Sequence, residues 1–518
     1  MEGHALGVLP RMQSRATSPS SVRSLLNGQK QSSKQLQEVL QHYLSNEELE
    51  AYLRDYVSRC SNIARLDSAG KSVEGRELWV LEISDKAGQE EAEPNVKFVG
   101  NVHGDEPTGR VLSLALAEWL CANYKTHSQA QRIVNDLHLY IMPSMNPDGF
   151  VAKSRENKHD KDLNRNFPDR YSRRGMQPTG KEEPETAALM DWTLKTGFVA
   201  AASFHEGAVL ANYPWDGTPN RTTEYWACPD DATFKHLART YASAHRTMAK
   251  SQEFKDGITN GAAWYPIYGS MQDWNYIVGK CLELTLELSD NKWPPEMGLA
   301  ALWEDNRQAL LDFAVTAALG GLRGTVKGQT AKLRAGKGQE VQPIVADITV
   351  AGIDFTVSSR QRFGDFYRPL APGQYGILVS SDGYLPFSTN ITVPADGSGA
   401  VLDVILQQSV GAGSDMDADV AGPSTGGSDE QQSGTDSLSG GLLDAAGGGG
   451  VKGSSSSSNS EAQWRASRWV GTAGVRNGLQ GTNGLVLVVA GALVLQALWV
   501  VQHRLRWRLQ LGSRSRGE

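Results

Sequence analysis

Short apolar runs and longer amphipathic stretches alternate along the chain from about Leu36 to Leu322. Positions 45–59 and 110–124 carry apolar residues at helical spacing, the second through Val111, Leu114, Leu116, Trp119 and Leu120. Between such stretches lie runs of strand length at 78–83, 96–100, 137–142, 198–204 and 282–288. The alternation predicts an α/β domain over 36–322, a doubly wound mixed sheet with helices on both faces. Near Arg323 the helical pattern stops. From there to Gln408, short β-type runs at 348–350, 375–379 and 401–405 alternate with Gly, Pro and Asp turns, which predicts a small all-β sandwich over 323–408.

The flanks read differently. Residues 1–35 are polar and expected to be disordered, and 409–483 are rich in Gly, Ser and Asp, as suits a flexible linker. Positions 484–501 are uncharged with one strongly polar side chain, Gln496. Arg504, Arg506, Arg508, Arg514 and Arg516 follow in a basic tail, 502–518. That is the pattern of one C-terminal transmembrane helix with a basic cytosolic flank; the alternative is a buried helix, for which the preceding linker offers little to pack against. The arrangement predicts a single-pass membrane protein whose folded part is lumenal or extracellular. Residues 1–30 show no apolar core of a signal peptide. A tail-anchored protein facing the cytosol is therefore the alternative.

At 518 residues the chain exceeds one ordinary core. Its net charge of -7, with no dominant basic block in the first four hundred positions, gives no support to nucleic-acid binding. Cys60, Cys121, Cys228 and Cys281 lack CxxC spacing, which argues against a cysteine metal cluster and leaves buried thiols or at most two bridges. Asn220 and Asn390 begin Asn-x-Thr sequons.

Candidate chemistry sits at strand ends. His103-Gly-Asp-Glu106 follows the run at 96–100, and His205 ends the run at 198–204. Two imidazoles and a carboxylate are the ligand set of a hydrolytic zinc site with one open position, and sites in open α/β sheets gather at the carboxyl ends of strands. Such a site needs a base. Glu287, near the end of the run at 282–288, can supply one. Arg155 and the stretch Asp162-Leu-Asn-Arg-Asn-Phe-Pro168 fall in loops, where an arginine fork suits a free peptide carboxylate.

These stretches, with Asn212-Tyr-Pro-Trp-Asp216, Gly257-Ile-Thr-Asn-Gly-Ala-Ala-Trp-Tyr265 and Gly269-Ser-Met-Gln-Asp-Trp-Asn-Tyr276, closely resemble the zinc metallocarboxypeptidases of the N/E/D regulatory subfamily. The resemblance covers about 40–408, including a transthyretin-like β-sandwich. It implies one zinc ion held by His103, Glu106 and His205, with Glu287 as general base and Arg155 polarising the scissile carbonyl. It further implies that Asn164 and Arg165 clamp the substrate carboxylate and that Tyr265 closes over it. Asp216, eleven residues after His205, would face a C-terminal Lys or Arg with Gln272 beside it. The partners implied are peptide or protein C-termini ending in Lys or Arg.

Two departures stand out. The subfamily has glycines after the third ligand, whereas Glu206 follows His205 here, bringing a further charge close to the metal or else pointing away. The stretch at 250–256 is shorter than usual, which predicts an altered rim. The competing expectations are a non-catalytic binding module and an adhesion or scaffold protein built on the sandwich. Every catalytic position is filled, and 323–408 offers no site of its own.

Overall fold

The computed structural model describes residues 34–329 and 340–409. Strands β1 (Ala64–Lys71), β2 (Glu77–Ile83), β3 (Asn95–Val99), β4 (His138–Met142), β5 (Phe198–His205), β6 (Ala208–Tyr213), β7 (Ile258–Asn260) and β8 (Leu282–Ser289) form one sheet. Their order is β1-β2-β4-β3-β5-β8-β6-β7. The central neighbours β4, β3, β5 and β8 pair in parallel, while β1, β2 and β6 join antiparallel, so the sheet is mixed as expected.

The central strands are buried on both faces, which explains the nearly continuous apolar and small residues of β5, whereas β8 alternates leucines with buried polar residues such as Glu283, Thr285 and Glu287. Helices Thr108–Asn123 and Leu299–Leu319 contribute to the larger core cluster, in which Phe98 lies 5.6 Å from Phe204 and 6.1 Å from Phe313, ring centre to ring centre. A second cluster is built on Leu78, Val80, Val99, Met142, Leu189, Met271 and Trp274. Helix Asn46–Arg59 starts on a capping box, the Ser45 hydroxyl accepting from the Glu48 amide and the Glu48 carboxylate from the Ser45 amide. Its far end is tied to helix Thr108–Asn123 by a Cys60–Cys121 disulfide, while Cys228 and Cys281 are buried thiols.

Beyond Leu319 the chain forms two small sheets from β9 (Leu322–Gln329), β10 (Val341–Pro343), β11 (Asp347–Val350), β12 (Thr356–Ser358), β13 (Asp365–Arg368), β14 (Gly373–Ser380), β15 (Phe387–Val393), β16 (Ala400–Val401) and β17 (Val404–Gln407). One sheet centres on β9, flanked by β10, β13, β16 and β17; the other runs β12-β11-β14-β15. Their core is continuous with that of the large sheet. Arg368, with no exposed surface, donates to both oxygens of Asp230 at 2.8 and 2.9 Å, and the Tyr276 hydroxyl donates to the same carboxylate. Tyr276 stacks on Phe355 with ring centres 4.4 Å apart.

Two sequence expectations need correction. The run at 401–405 is not one strand: Asp403 turns its carboxylate onto the Thr325 amide and hydroxyl, and β16 gives way to β17. Positions 34 and 35, expected to be disordered, belong to helix Lys34–Val39, which buries Leu36 and Val39. The linker, the membrane span at 484–501 and the basic tail lie outside the described residues. Among the described residues no helix is long and apolar enough to cross a membrane.

Candidate active site

Three adjacent parallel strands deliver the chemistry to one edge of the sheet. His103 and Glu106 lie in the turn after β3, His205 is the last residue of β5, and Glu287 stands directly opposite His205 on β8. The turn after β3 is shaped by Asn101, whose backbone has φ 52° and whose amide nitrogen donates to the His103 carbonyl at 2.7 Å. Gly104 is required there, since a Cβ would land on the Gly149 backbone.

His103 Nδ1 lies 2.8 Å from Glu106 Oε2, and His205 Nδ1 lies 3.2 Å from His103 Nδ1 and 3.1 Å from Glu106 Oε2. All three residues are buried. His103 faces a carboxylate at each ring nitrogen, Glu106 Oε2 at 2.8 Å from Nδ1 and Asp162 Oδ1 at 3.1 Å from Nε2, so the ligating tautomer is the one with its proton on Nε2. Arg155 Nη1, itself a donor 3.1 Å away, agrees with that tautomer. In that tautomer the lone pairs of His103 and Glu106 face one another at less than van der Waals distance, which a cation between them reconciles. The edge of a tetrahedron with zinc-like bond lengths is about 3.3 Å. The three donor atoms fit a zinc ion.

Burial alone would lower the His103 imidazole, but Glu106 and Asp162 raise it, favouring a positive charge at this point that a bound cation would replace. Burial lowers the His205 imidazole to about 4, keeping it neutral, the ligating form. Burial alone would raise the Glu106 carboxyl, but His103 and His205 hold it well below the carboxylate range. Burial, and then the Glu106 charge, push Glu287 up to about 8; its Oε2 is buried without a hydrogen-bond partner. A cation held by His103, Glu106 and His205 would offset that push.

A cleft of about 210 Å³ opens on these groups. Nine of the ten side chains singled out in the sequence line it: the three ligands, Glu287, Arg155, Asn164, Arg165, Asp216 and Tyr265. The tenth, Gln272, stands behind Asp216 and donates to its Oδ1 at 3.0 Å. Asp216 is 1% exposed, and burial raises its carboxyl to about 6, against the pull of Ser270 and Arg165. Gly261 must be glycine because a Cβ would collide with the Asp216 carboxylate. Tyr265, by contrast, is 46% exposed at the mouth.

Residues 49–309 match the profile of the zinc carboxypeptidase family. The chain belongs to this family. It is 49% identical to Carboxypeptidase SOL1 of Arabidopsis thaliana over 68% of this chain and 70% of that protein. It is 38% identical to Carboxypeptidase D of Homo sapiens over 73% of this chain but only 28% of that much longer protein. Against Carboxypeptidase M of Mus musculus, identity is 36% over 68% of this chain and 81% of the relative. The protein is accordingly a zinc metallopeptidase acting on peptide or protein C-termini, with a catalytic zinc ion.

In this zinc carboxypeptidase, Glu206 is turned to structural use. Its Oε1 accepts from the Thr108 amide at 2.6 Å, at the amino end of helix Thr108–Asn123. The side chain is held by the helix yet still lines the cleft beside Glu106 and Glu287, with its Oε2 buried and unpartnered, so the further acidic group does lie close to the three candidate ligands. Burial raises its carboxyl well above the usual range, with the Thr108 hydrogen bond working against the rise. The segment 250–256, expected to alter the rim, does not line the cleft. Sequence reasoning missed two participants. Lys292 Nζ reaches Glu106 Oε1 at 2.8 Å and Asp105 at 3.5 Å, and Asp162 orients both His103 and Arg155, accepting from Arg155 Nε at 2.9 Å. The place of Lys292, five residues past Glu287 at the same sheet edge, was the available signal.

Proposed function

We propose that the protein removes single C-terminal Lys or Arg residues from peptides and proteins. The observation that carries this reading is Asp216, a buried carboxylate in the same cleft as the three ligands. A cationic side chain satisfies it, whereas an apolar terminus leaves it desolvated and unpaired, at a cost of several kcal/mol.

His103, Glu106 and His205 would hold the zinc ion, which would supply Lewis acidity to the reaction. Glu287 accepts a proton from the attacking water and passes it to the leaving amine, and its buried, unpartnered oxygen suits that exchange. Arg155 stabilises negative charge on the carbonyl oxygen. Asn164 and Arg165 clamp the terminal carboxylate, and Tyr265, exposed at the mouth, closes over it. Gln272 holds Asp216 in place. Residues 323–408 form a transthyretin-like domain in this reading, the two facing sheets being its support.

The same reading puts the catalytic domain in the lumen or outside the cell, anchored through the apolar stretch at 484–501. A disulfide between Cys60 and Cys121 favours an oxidising compartment, and both sequon asparagines, Asn220 and Asn390, are exposed. Protease protection in sealed vesicles tests it: digestion of the catalytic domain from the cytosolic side would establish the tail-anchored alternative.

The deciding assay is hydrolysis of matched peptides ending in Arg, Lys, Leu or Glu, with and without a zinc chelator, for the wild type and Asp216→Ala. Chelator-sensitive release of Arg and Lys, lost or broadened in the variant, is expected. No release by folded, zinc-loaded protein would overturn the reading.

A further inference from the structure

A second convergence of ligating atoms lies away from the cleft. His138, the first residue of β4, is 2% exposed; its Nδ1 is 2.8 Å from Glu82 Oε1. Glu82 can only accept there, so His138 Nδ1 carries the proton and Nε2 presents a lone pair. That lone pair points between two carboxylates, 3.9 Å from Glu91 Oε2 and 3.8 Å from Glu93 Oε2. All three atoms are buried and none has a hydrogen-bond partner.

Three buried acceptors facing one another repel unless something positive lies between them. A proton on Nε2 would draw one carboxylate to hydrogen-bond distance, and 3.8–3.9 Å is too long for that. Lys86 engages only the other oxygen of Glu91, at 2.5 Å. One imidazole nitrogen and two carboxylate oxygens, all within 4.8 Å of one another, are a divalent-metal donor set. The Glu82–His138 hydrogen bond is the carboxylate–histidine pairing that orients a metal-ligating imidazole.

The carboxylates are held in register from the β-sandwich. Arg360 Nη2 donates to the Glu91 and Glu93 carbonyls at 2.8 and 2.9 Å, and the Tyr367 hydroxyl donates to the Ala92 carbonyl at 2.7 Å. The histidine comes from the large sheet. We propose that Glu91, Glu93 and His138 bind a second divalent ion of the zinc class, which fastens the segment 91–93 to β4 at the seam between the large sheet and the β-sandwich. Glu91 and His138 also line a cleft of about 580 Å³.

Counting metal tests the proposal without reference to any substrate. The full chain is equilibrated with micromolar zinc, freed of loosely held ion, and its zinc content per chain measured by mass spectrometry. Wild type should hold two. Glu93→Gln and, independently, Glu91→Gln should hold one while cleaving peptides at the wild-type rate. His205→Asn should also hold one, with no activity, so the two sites are counted separately. A single zinc in the wild type, or two in both Glu91→Gln and Glu93→Gln, would overturn the assignment.

Discussion

Gln272 donates from Nε2 to Asp216 Oδ1 at 3.0 Å while its own Oε1 accepts from the Thr285 amide at 2.9 Å. One amide side chain thus ties the acidic residue of the cleft to β8, the strand that carries Glu287. Gln272→Leu should keep Asp216 in the pocket but release its orientation. The expected loss is about tenfold in kcat/KM for Arg-terminated peptides, or roughly 1.4 kcal/mol, with little change for Leu-terminated ones. Asp216→Ala should cost about 100-fold or more. An equal loss on both substrates in either variant would remove Asp216 from specificity.

Glu287→Gln preserves shape and hydrogen-bonding capacity but cannot shuttle a proton. We expect kcat to fall roughly 10²- to 10⁴-fold with zinc content unchanged. Retained turnover in the zinc-loaded variant would require another base.

Asp216 must be ionised to pair with a cationic terminus, and burial raises its carboxyl to about 6. Protonation below that pH removes the attraction, so kcat/KM for Arg-terminated peptides should rise with pH through the region around 6. Leu-terminated peptides should lack that limb, as should Asp216→Asn with any peptide. Superimposable pH profiles for Arg and Leu substrates would argue against the pairing.

The Cys60–Cys121 bridge spans 61 residues. Closing a loop of that size in the unfolded chain is worth about 4 kcal/mol on the chain-entropy model, and about 2–5 kcal/mol in practice. Urea denaturation of the double variant Cys60→Ser/Cys121→Ser should show a loss in this range, without loss of activity under native conditions.

Arg368 and Asp230 are both fully buried, one from the sandwich and one from the large domain. Arg368→Met leaves the Asp230 charge unpaired and should cost about 3–5 kcal/mol, whereas adding Asp230→Asn should recover part of that loss. Denaturation midpoints of the single and double variants make the comparison.

The strand-end residues were legible because their signal is local. An apolar run followed by His-Gly-Asp-Glu declares both the strand and the turn that ends it, and His205 and Glu287 close runs of the same kind. The role of Asp216 came from resemblance, since nothing in its immediate sequence announces burial. What could not be read was partnership across distance. Lys292 meets Glu106 across 186 positions, and Glu206 finds the Thr108 amide across 98. Glu91 and Glu93 lie 47 and 45 positions before His138 and meet its imidazole only in the fold. The break between β16 and β17 was missed because Asp403 acts through its side chain on a distant strand rather than through any local turn signal.

His205 and Glu287 are register partners on neighbouring parallel strands. Their separation is fixed by backbone hydrogen bonds of the sheet, near the usual interstrand spacing, and owes nothing to loop conformation. Asp216 lies beyond the end of β6, in loop structure that can be rebuilt without touching that ladder. The scaffold therefore invites redesign by grafting: exchanging the loop after β6 should redirect which terminal residue is taken, while hydrolytic competence travels with the sheet.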